Sequence, residues 1–350
     1  MVGPVNVASC PIGPGYPCFI IAEAGVNHNG DLGLAQRMID VAVKAGADAV
    51  KFQAYKAEKL VTQDAPKAEY QVRATDGSES QLDMLRRLEV SPEGQRILMD
   101  YCRRKGIIFL STPFDEDSAD VLERLEIPAF KIPSGEVTNL PFLAYVAKKG
   151  RPMILSTGMA SLGEVEMAVH TIEAAGNRGM ILLHCVSNYP ADPNDVNLRA
   201  IKTMARAFRL PIGYSDHTLG IEVPIVSVAL GACVLEKHFT LDRTLPGPDH
   251  QASAEPDELA AMVAGIRKIE SALGHGRKVP AASEAATAAV ARKSLVAARP
   301  IRAGTRLTEE LMTIKRPGTG LPPSLRASLV GRMTKCDIPA DALLSLDMLA

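Results

Sequence analysis

Residues 18–53 read CFIIAEAGVNHNGDLGLAQRMIDVAVKAGADAVKFQ, and the order of events in that stretch decides the fold. Cys18–Ala22 is an apolar run of strand length that ends in a polar, glycine-rich cluster. In Leu32–Ala45 the residues Leu34, Met38, Val41 and Ala45 fall at helical spacing, Gly46 ends the helix, and Ala49–Gln53 is a second apolar run. Working outward, the same rhythm recurs at Ile107–Ser111, Ala129–Ile132, Met153–Ser156, Ile181–Cys185, Pro211–Tyr214 and Cys233–His238, which makes eight runs. Helix starts are marked by Ser91-Pro92-Glu93, Asp115-Glu116, Ser161 with Glu164, and Glu255-Pro256-Asp257. Helix ends carry Gly46, Gly106, Gly150, Gly176 and Gly231. Strand and helix repeated eight times predict an α/β protein of the (β/α)₈ TIM-barrel class. A doubly wound sheet would bind its ligand at a glycine-rich first turn, and Gly25–Gly30 lacks the GxGxxG spacing.

The rhythm predicts a barrel domain over residues 1–273 and a linker, GHGRKVPAASEAAT, over 274–287. A small module fills 288–350, with strand-like runs at Ser294–Ala297 and Leu343–Leu346. Val290–Ala350 holds 10 Lys+Arg and 5 Asp+Glu, a net +5 that leaves −6 for the rest of a chain whose total is −1. So small a module holds only a marginal core and is expected to dock on something. Balanced charge, no Trp and 4% aromatic residues argue against a nucleic-acid surface. No apolar run reaches membrane-span length, and the first residues lack a signal-peptide pattern. The 6 cysteines are scattered without a CxxC pair, as expected of free thiols in a cytoplasmic protein.

In a barrel of this class the chemistry sits at the C-terminal ends of the strands. Those ends carry Glu23, Lys51 and Gln53, Ser111-Thr112, Lys131 with Ser134 and Glu136, Ser156-Thr157, Ser187 and Tyr189, Ser215 and His217, and Glu236 and His238. Residues two apart face the same way, so Lys51 with Gln53, Ser215 with His217, and Glu236 with His238 share one mouth. Two lysines among several hydroxyls suit an oxyanion, most simply a phosphate; structural ion pairs with acidic neighbours are the alternative. Neutral imidazoles at two neighbouring strand ends suit a divalent ion such as Mn²⁺. Zinc fits less well, because no third nitrogen or sulfur ligand is evident; Cys185 reads as a small buried thiol. Glu23 ends a purely apolar strand, which marks it for acid/base work or for an ion pair with a lysine. Glu136 and Asp249 are weaker candidates of the same kind. His170, His184 and His275 read as structural.

Together the motifs IAEAGVNHNG (21–30), VKFQ (50–53), STPFD (111–115), KIPSGE (131–136), LSTGM (155–159), HCVSNYP (184–190), YSDHT (214–218), LEKHFT (235–240), GPDHQAS (247–253) and KRPGTG (315–320) resemble the sialic acid synthase family. The resemblance spans nearly the whole chain and includes a terminal module similar to the antifreeze-like, β-clip SAF domain. It implies condensation of phosphoenolpyruvate with an N-acetylated hexosamine, typically N-acetylmannosamine, to a nine-carbon 2-keto acid and phosphate. By position, Lys51, Thr112, Lys131, Ser134, Ser156 and Ser215 match phosphoenolpyruvate contacts. His217 and His238 match Mn²⁺ ligands, and Glu23, Gln53, Tyr189 and Asp249 match positions near the sugar. Arg316 matches an arginine that one subunit of a domain-swapped homodimer inserts into its partner's barrel. Ser187 stands where the family pattern has asparagine.

The implied reaction has carbon 3 of phosphoenolpyruvate attack the open-chain aldehyde, water add at carbon 2, and phosphate depart by C–O cleavage, with Glu23 managing the water or the developing cation. Legionaminate synthase, or another nonulosonate synthase using a different N-acylated hexosamine, is the close alternative, differing in the sugar-side stretch Lys67–Gln81. A metal-free Schiff-base aldolase using Lys51 or Lys131 is opposed by the two histidines. A non-enzymatic ice- or glycan-binding protein is opposed by the lack of a Thr-rich repeat.

Overall fold

The computed structural model describes residues 3–75 and 78–350. A hairpin, β1 (Val5–Val7) and β2 (Cys10–Ile12), comes first. Eight parallel strands follow: β3 (Phe19–Gly25), β4 (Ala49–Ala54), β5 (Ile108–Pro113), β6 (Phe130–Ile132), β7 (Met153–Ser156), β8 (Met180–Cys185), β9 (Ile212–Asp216) and β10 (Val234–His238). Each is one of the eight runs read from the sequence. Their order, β5-β4-β3-β10-β9-β8-β7-β6, is that of a barrel, and β5 lies beside β6 to complete the ring. The (β/α)₈ expectation holds.

The helices begin and end where the sequence marks them. The Ser91 hydroxyl accepts from the Gly94 N–H, the Asp115 carboxylate from the Ser118 N–H, and Ser161 and Glu164 form a reciprocal capping box. Gly46 and Gly106 take the left-handed conformation (φ 81° and 74°) that ends their helices.

Two cores hold the barrel. An outer one lies between strands and helices and includes Val50, Phe52, Phe130, Leu155 and Leu235. An inner one fills the end opposite the polar strand termini, with Ile21, Leu110, Ile154, Leu183 and Val234 packed on Val5, Val7 and Ile12 of the hairpin. The hairpin therefore plugs the bottom of the barrel. Between β4 and the helix Pro92–Lys105 the chain makes an excursion of three short helices, Ala57–Leu60, Glu69–Ala74 and Gln81–Leu88. Its apolar residues build a satellite core of Leu82, Met84, Leu85 and Leu88 with Val26 and Tyr55. Of the sugar-side stretch Lys67–Gln81, Asp76 and Gly77 lie outside the described residues.

The chain divides into two units, Met1–Gly274 and His275–Ala350. In the second, β11 (Ser294–Ala297) and β12 (Met312–Lys315) pair antiparallel over a core that includes Leu295, Ile301, Leu307, Ile338 and Leu344. Residues Ala285–Ala291 are helical, so the stretch read as linker runs into a helix. The run read at Leu343–Leu346 is a single bridge from Leu343 to Val296, followed by a 3₁₀ turn over Leu346–Met348.

Candidate active site

The polar strand ends surround one cavity of about 400 Å³. Thirteen of the residues singled out in the sequence line it: Glu23, Lys51, Gln53, Thr112, Lys131, Ser134, Ser156, Ser187, Tyr189, Ser215, His217, His238 and Asp249. Glu136 does not. It closes the 3₁₀ turn Ser134–Glu136, which carries its carboxylate aside to accept from the Asn139 amide at 2.6 Å, and burial raises its pKa. Arg316 belongs to the second unit, where it follows β12 and is exposed.

The centre of the cavity is a charge cluster built by period-two alternation on neighbouring strands. Lys51 Nζ lies 2.7 Å from Glu23 Oε2 and 3.7 Å from Glu236 Oε2, and donates to Thr112 Oγ1 at 2.9 Å. Lys131 Nζ lies 3.3 Å from Glu236 Oε1, which also accepts from the Ser215 hydroxyl at 2.9 Å. Both lysines are thus ion-paired as well as turned toward the cavity. Glu236 is the hub, and assigning it no role was the main omission of the sequence reading. Its signal was its place two residues before His238.

Burial raises the Glu23 carboxyl to about 7, against the opposing charge of Lys51. Burial works against ionisation of Glu236 too, but the charges of Lys131 and Lys51 hold it near 2. Burial lowers the Lys131 ammonium, whereas against the same burial the carboxylates of Glu23 and Glu236 raise Lys51. The two lysines are the cationic groups the cluster can turn toward an anion.

Hydroxyls complete the anion side. Ser156 Oγ is buried without a hydrogen-bond partner, and Ser134 Oγ accepts from the Gly158 N–H at 2.9 Å. A Cβ on Gly158 would sit 2.2 Å from Ser187 Oγ and 2.9 Å from Ser134 Oγ, so the glycine keeps these two hydroxyls free to face the cavity. A second glycine, Gly25 (φ +54°), lies where the β3–β4 register shifts after Glu23, with its missing Cβ directed at Glu23 and His238.

Beside the cluster the rings of His217 and His238 lie 5.3 Å apart. His217 Nδ1 donates to the Val186 carbonyl at 2.7 Å, so Nε2 is the nitrogen left for a ligand. Against the effect of burial, Cys185, the Val186 carbonyl and Glu236 raise this imidazole, so a metal ion there would displace a proton. His238 Nδ1 is buried with no hydrogen-bond partner, 3.8 Å from Asp249 Oδ2, and burial drives this imidazole well toward its neutral form. An orphaned buried nitrogen next to a second free imidazole nitrogen fits a divalent ion whose other positions are left to water or substrate. Among the described residues no three His, Cys, Asp or Glu side chains form a ready cage. Cys185 lines the cavity too, with its sulfur 3.8 Å from His217 Nδ1.

The remaining wall is of another kind. The ring of Tyr189 packs on His217 (4.1 Å) and stacks on Tyr70 (4.9 Å) from the excursion. Tyr70 carried no periodic signal in the sequence. Beyond it lie Val26, Leu60, Val61, Met84, Leu85, Leu88 and Phe114, with Gln71 and Gln81 of the excursion as uncharged polar groups among them. Asp249 closes this side, its carboxyl raised by burial to about 6. Among the described lining residues the only Lys or Arg side chains are Lys51 and Lys131, so the apolar side carries none.

Comparison with known proteins shows the family. The NeuB family model matches residues 38–278, and the SAF domain model matches 292–350. The N,N'-diacetyllegionaminic acid synthase of Legionella pneumophila is 47% identical, over 95% of this chain and 95% of its own. Human N-acetylneuraminate-9-phosphate synthase is 40% identical, over 97% of this chain and 95% of its own. The crystal structure of N-acetylneuraminic acid synthetase from Leptospira borgpetersenii, solved with citrate, superposes with a TM-score of 0.73 at 41% identity, covering 82% of this chain and 95% of that one. The chain is a carbon–carbon bond-forming enzyme of the NeuB family, with a SAF domain after its barrel.

Proposed function

We propose that this enzyme is a nonulosonate synthase joining phosphoenolpyruvate to an unphosphorylated hexosamine that carries a second N-acyl group. The observation that supports this most is the two-sided cavity, with a lysine–glutamate cluster and paired imidazoles on one side and an apolar, cation-free wall on the other. A sugar phosphate would find no cation among this chain's own residues on that wall, the arginine expected from a partner being assigned to an N-acyl group, whereas acyl methyl groups would find apolar contact. Relatives named for a diacetylated product point the same way. N-acetylmannosamine, the partner expected from the sequence, bears one acyl group fewer.

In this reading Lys51 and Lys131 hold the anionic groups of phosphoenolpyruvate, with Thr112, Ser134, Ser156, Ser187 and Ser215 as neutral donors. Gln53, Tyr189 and Asp249 face the sugar. His217 and His238 hold Mn²⁺, which when bound supplies Lewis-acid polarisation of the sugar aldehyde. Carbon 3 forms the new bond to the aldehyde carbon as the aldehyde's π pair moves to its oxygen, which takes up a proton and becomes a hydroxyl, and carbon 2 is left cationic beside Glu23 and Glu236. Ionised Glu23 takes a proton from the water that adds there. The new carbon 2 hydroxyl then gives up its proton as it becomes the ketone, and phosphate leaves with the bridging oxygen and the electron pair of the broken C–O bond. Two chains pair, and the partner's Arg316 reaches the N-acyl group. A cytoplasmic setting suits six free thiols, and no helix among the described residues is long and apolar enough to cross a membrane.

The test is turnover with phosphoenolpyruvate and three sugars: a 2,4-diacetamido hexose, N-acetylmannosamine and its 6-phosphate. One further buried methyl group is worth about 0.8 kcal/mol, so kcat/KM for the diacyl sugar should lead by about fourfold or more. Preference for the 6-phosphate would overturn the assignment of the apolar wall.

A further inference from the structure

A fully buried ion pair on the outer face of β9 and β10 has no part in the chemistry above. Alternation turns Ser215, His217, Glu236 and His238 to the cavity and leaves Tyr214, Asp216 and Lys237 on the opposite face. There Lys237 Nζ lies 2.6 Å from Asp216 Oδ2 and donates to the Thr218 carbonyl. Asp216 Oδ1 accepts from the Tyr214 hydroxyl (2.9 Å), the Thr218 hydroxyl (2.9 Å) and the Thr218 N–H (3.1 Å). The side chains of Lys237 and Asp216 are 2% and 0% exposed.

The placement matters more than the pairing. Lys237 precedes His238 in the chain, and its ammonium reaches across to grip the residues on either side of His217. Asp216 and Thr218 in turn close a hydrogen-bonded turn around the His217 backbone. One ammonium therefore ties the two imidazole-bearing strand ends together from behind. Desolvating two charges offsets most of what their attraction returns, and an apolar pair of similar volume would fill the same space. Geometry is what this pair supplies.

We propose that Asp216 and Lys237 are a positioning pair that sets the separation of His217 and His238, and through it the affinity for the divalent ion. This rests on the reading of the two imidazoles as metal ligands. The test measures Mn²⁺ binding to metal-free protein by calorimetry and by electron paramagnetic resonance. It compares the wild type, Asp216→Asn/Lys237→Met, which removes both charges at nearly constant volume, and Thr218→Val, which removes a single hydrogen bond. The expected result is at least tenfold weaker Mn²⁺ binding in the double variant and a smaller loss in Thr218→Val. The thermal midpoint and metal-free phosphoenolpyruvate binding should stay close to wild type. Wild-type Mn²⁺ affinity in the double variant, or equal loss of both ligands, would overturn the positioning role and leave the metal site standing. If the double variant does not fold, an unchanged affinity in Thr218→Val overturns it. A wild type that binds no Mn²⁺ overturns the metal reading itself, and the positioning role with it.

Discussion

Glu23 Oε2 lies 2.7 Å from Lys51 Nζ at the heart of the barrel, and both side chains are almost wholly buried. The pair joins β3 to β4, whose registered partners at this level are these two residues. Burial nevertheless raises the Glu23 carboxyl to about 7, so its proton is exchangeable at neutral pH. If the ionised form takes a proton from the attacking water, kcat/KM should fall as pH drops below about 7, by about tenfold per unit. Glu23→Gln should lower kcat by about 10²- to 10⁴-fold and abolish that acid limb, with phosphoenolpyruvate still bound. A Gln variant that keeps both activity and limb would assign the limb elsewhere.

His28 and His250 each contribute a pH-dependent part of the stability whose sign is fixed. Burial depresses both imidazoles, from 6.5 to about 4, so each stays neutral in the folded chain at pH values where the unfolded chain takes up a proton. The stability each contributes is therefore fully present above about pH 6.5 and is lost as pH falls to about 4, while the raised carboxyls of Glu23 and Asp249 act in the opposite sense over much of that window. His28 is 1% exposed and contributes about 3 kcal/mol over that window. Urea unfolding of wild type and His28→Asn, measured side by side between about pH 4 and 7, isolates the His28 part: the stability of the wild type relative to the variant should fall as pH drops from about 6.5 to about 4. A difference that does not change with pH would rule His28 out as a source.

Gly158→Ala tests the anion side without touching a charge. The added Cβ would drive the Ser187 and Ser134 hydroxyls from their places. The KM for phosphoenolpyruvate should rise about tenfold, the loss of one or two neutral hydrogen bonds, while the KM for the sugar stays near wild type. A rise confined to the sugar would reverse the two ends of the cavity.

The proposed sharing of a site between two chains can be tested by mixing defects. Arg316→Ala and His217→Ala should each be poorly active alone. If two chains pair and Arg316 serves the partner's barrel, random co-expression makes half the dimers mixed, and each mixed dimer would hold one site with an intact barrel and an intact arginine. About a quarter of wild-type activity should return. Activity no higher than the mean of the two single variants, with mixed dimers verified by mass, would place Arg316 outside the partner's site.

The barrel was legible because each strand is an apolar run that breaks into polar residues at one end, a pattern with no packing reason. That same break exposed Glu23, Lys51, Lys131, His217 and His238. Glu136 sits just off the cavity because the chain leaves the strand after Ile132, and Ser134–Glu136 turns as a 3₁₀ segment whose first two residues line the cavity. The plug strands Val5–Val7 and Cys10–Ile12 are too short for any periodic signal, and the second has a proline at its centre, a residue that sheets confine to edges and bulges. Tyr70 and the apolar wall come from the excursion between β4 and the helix Pro92–Lys105. Their approach to the cavity depends on tertiary packing of the satellite core, which no local pattern encodes.

The most direct measurement of the central claim follows the bridging oxygen of phosphoenolpyruvate. With ¹⁸O at that position and a diacetamido hexose as partner, mass spectrometry should find the label in inorganic phosphate and a nine-carbon keto acid without it. Label retained in the keto acid, or phosphate released with no new carbon–carbon bond, would contradict the account.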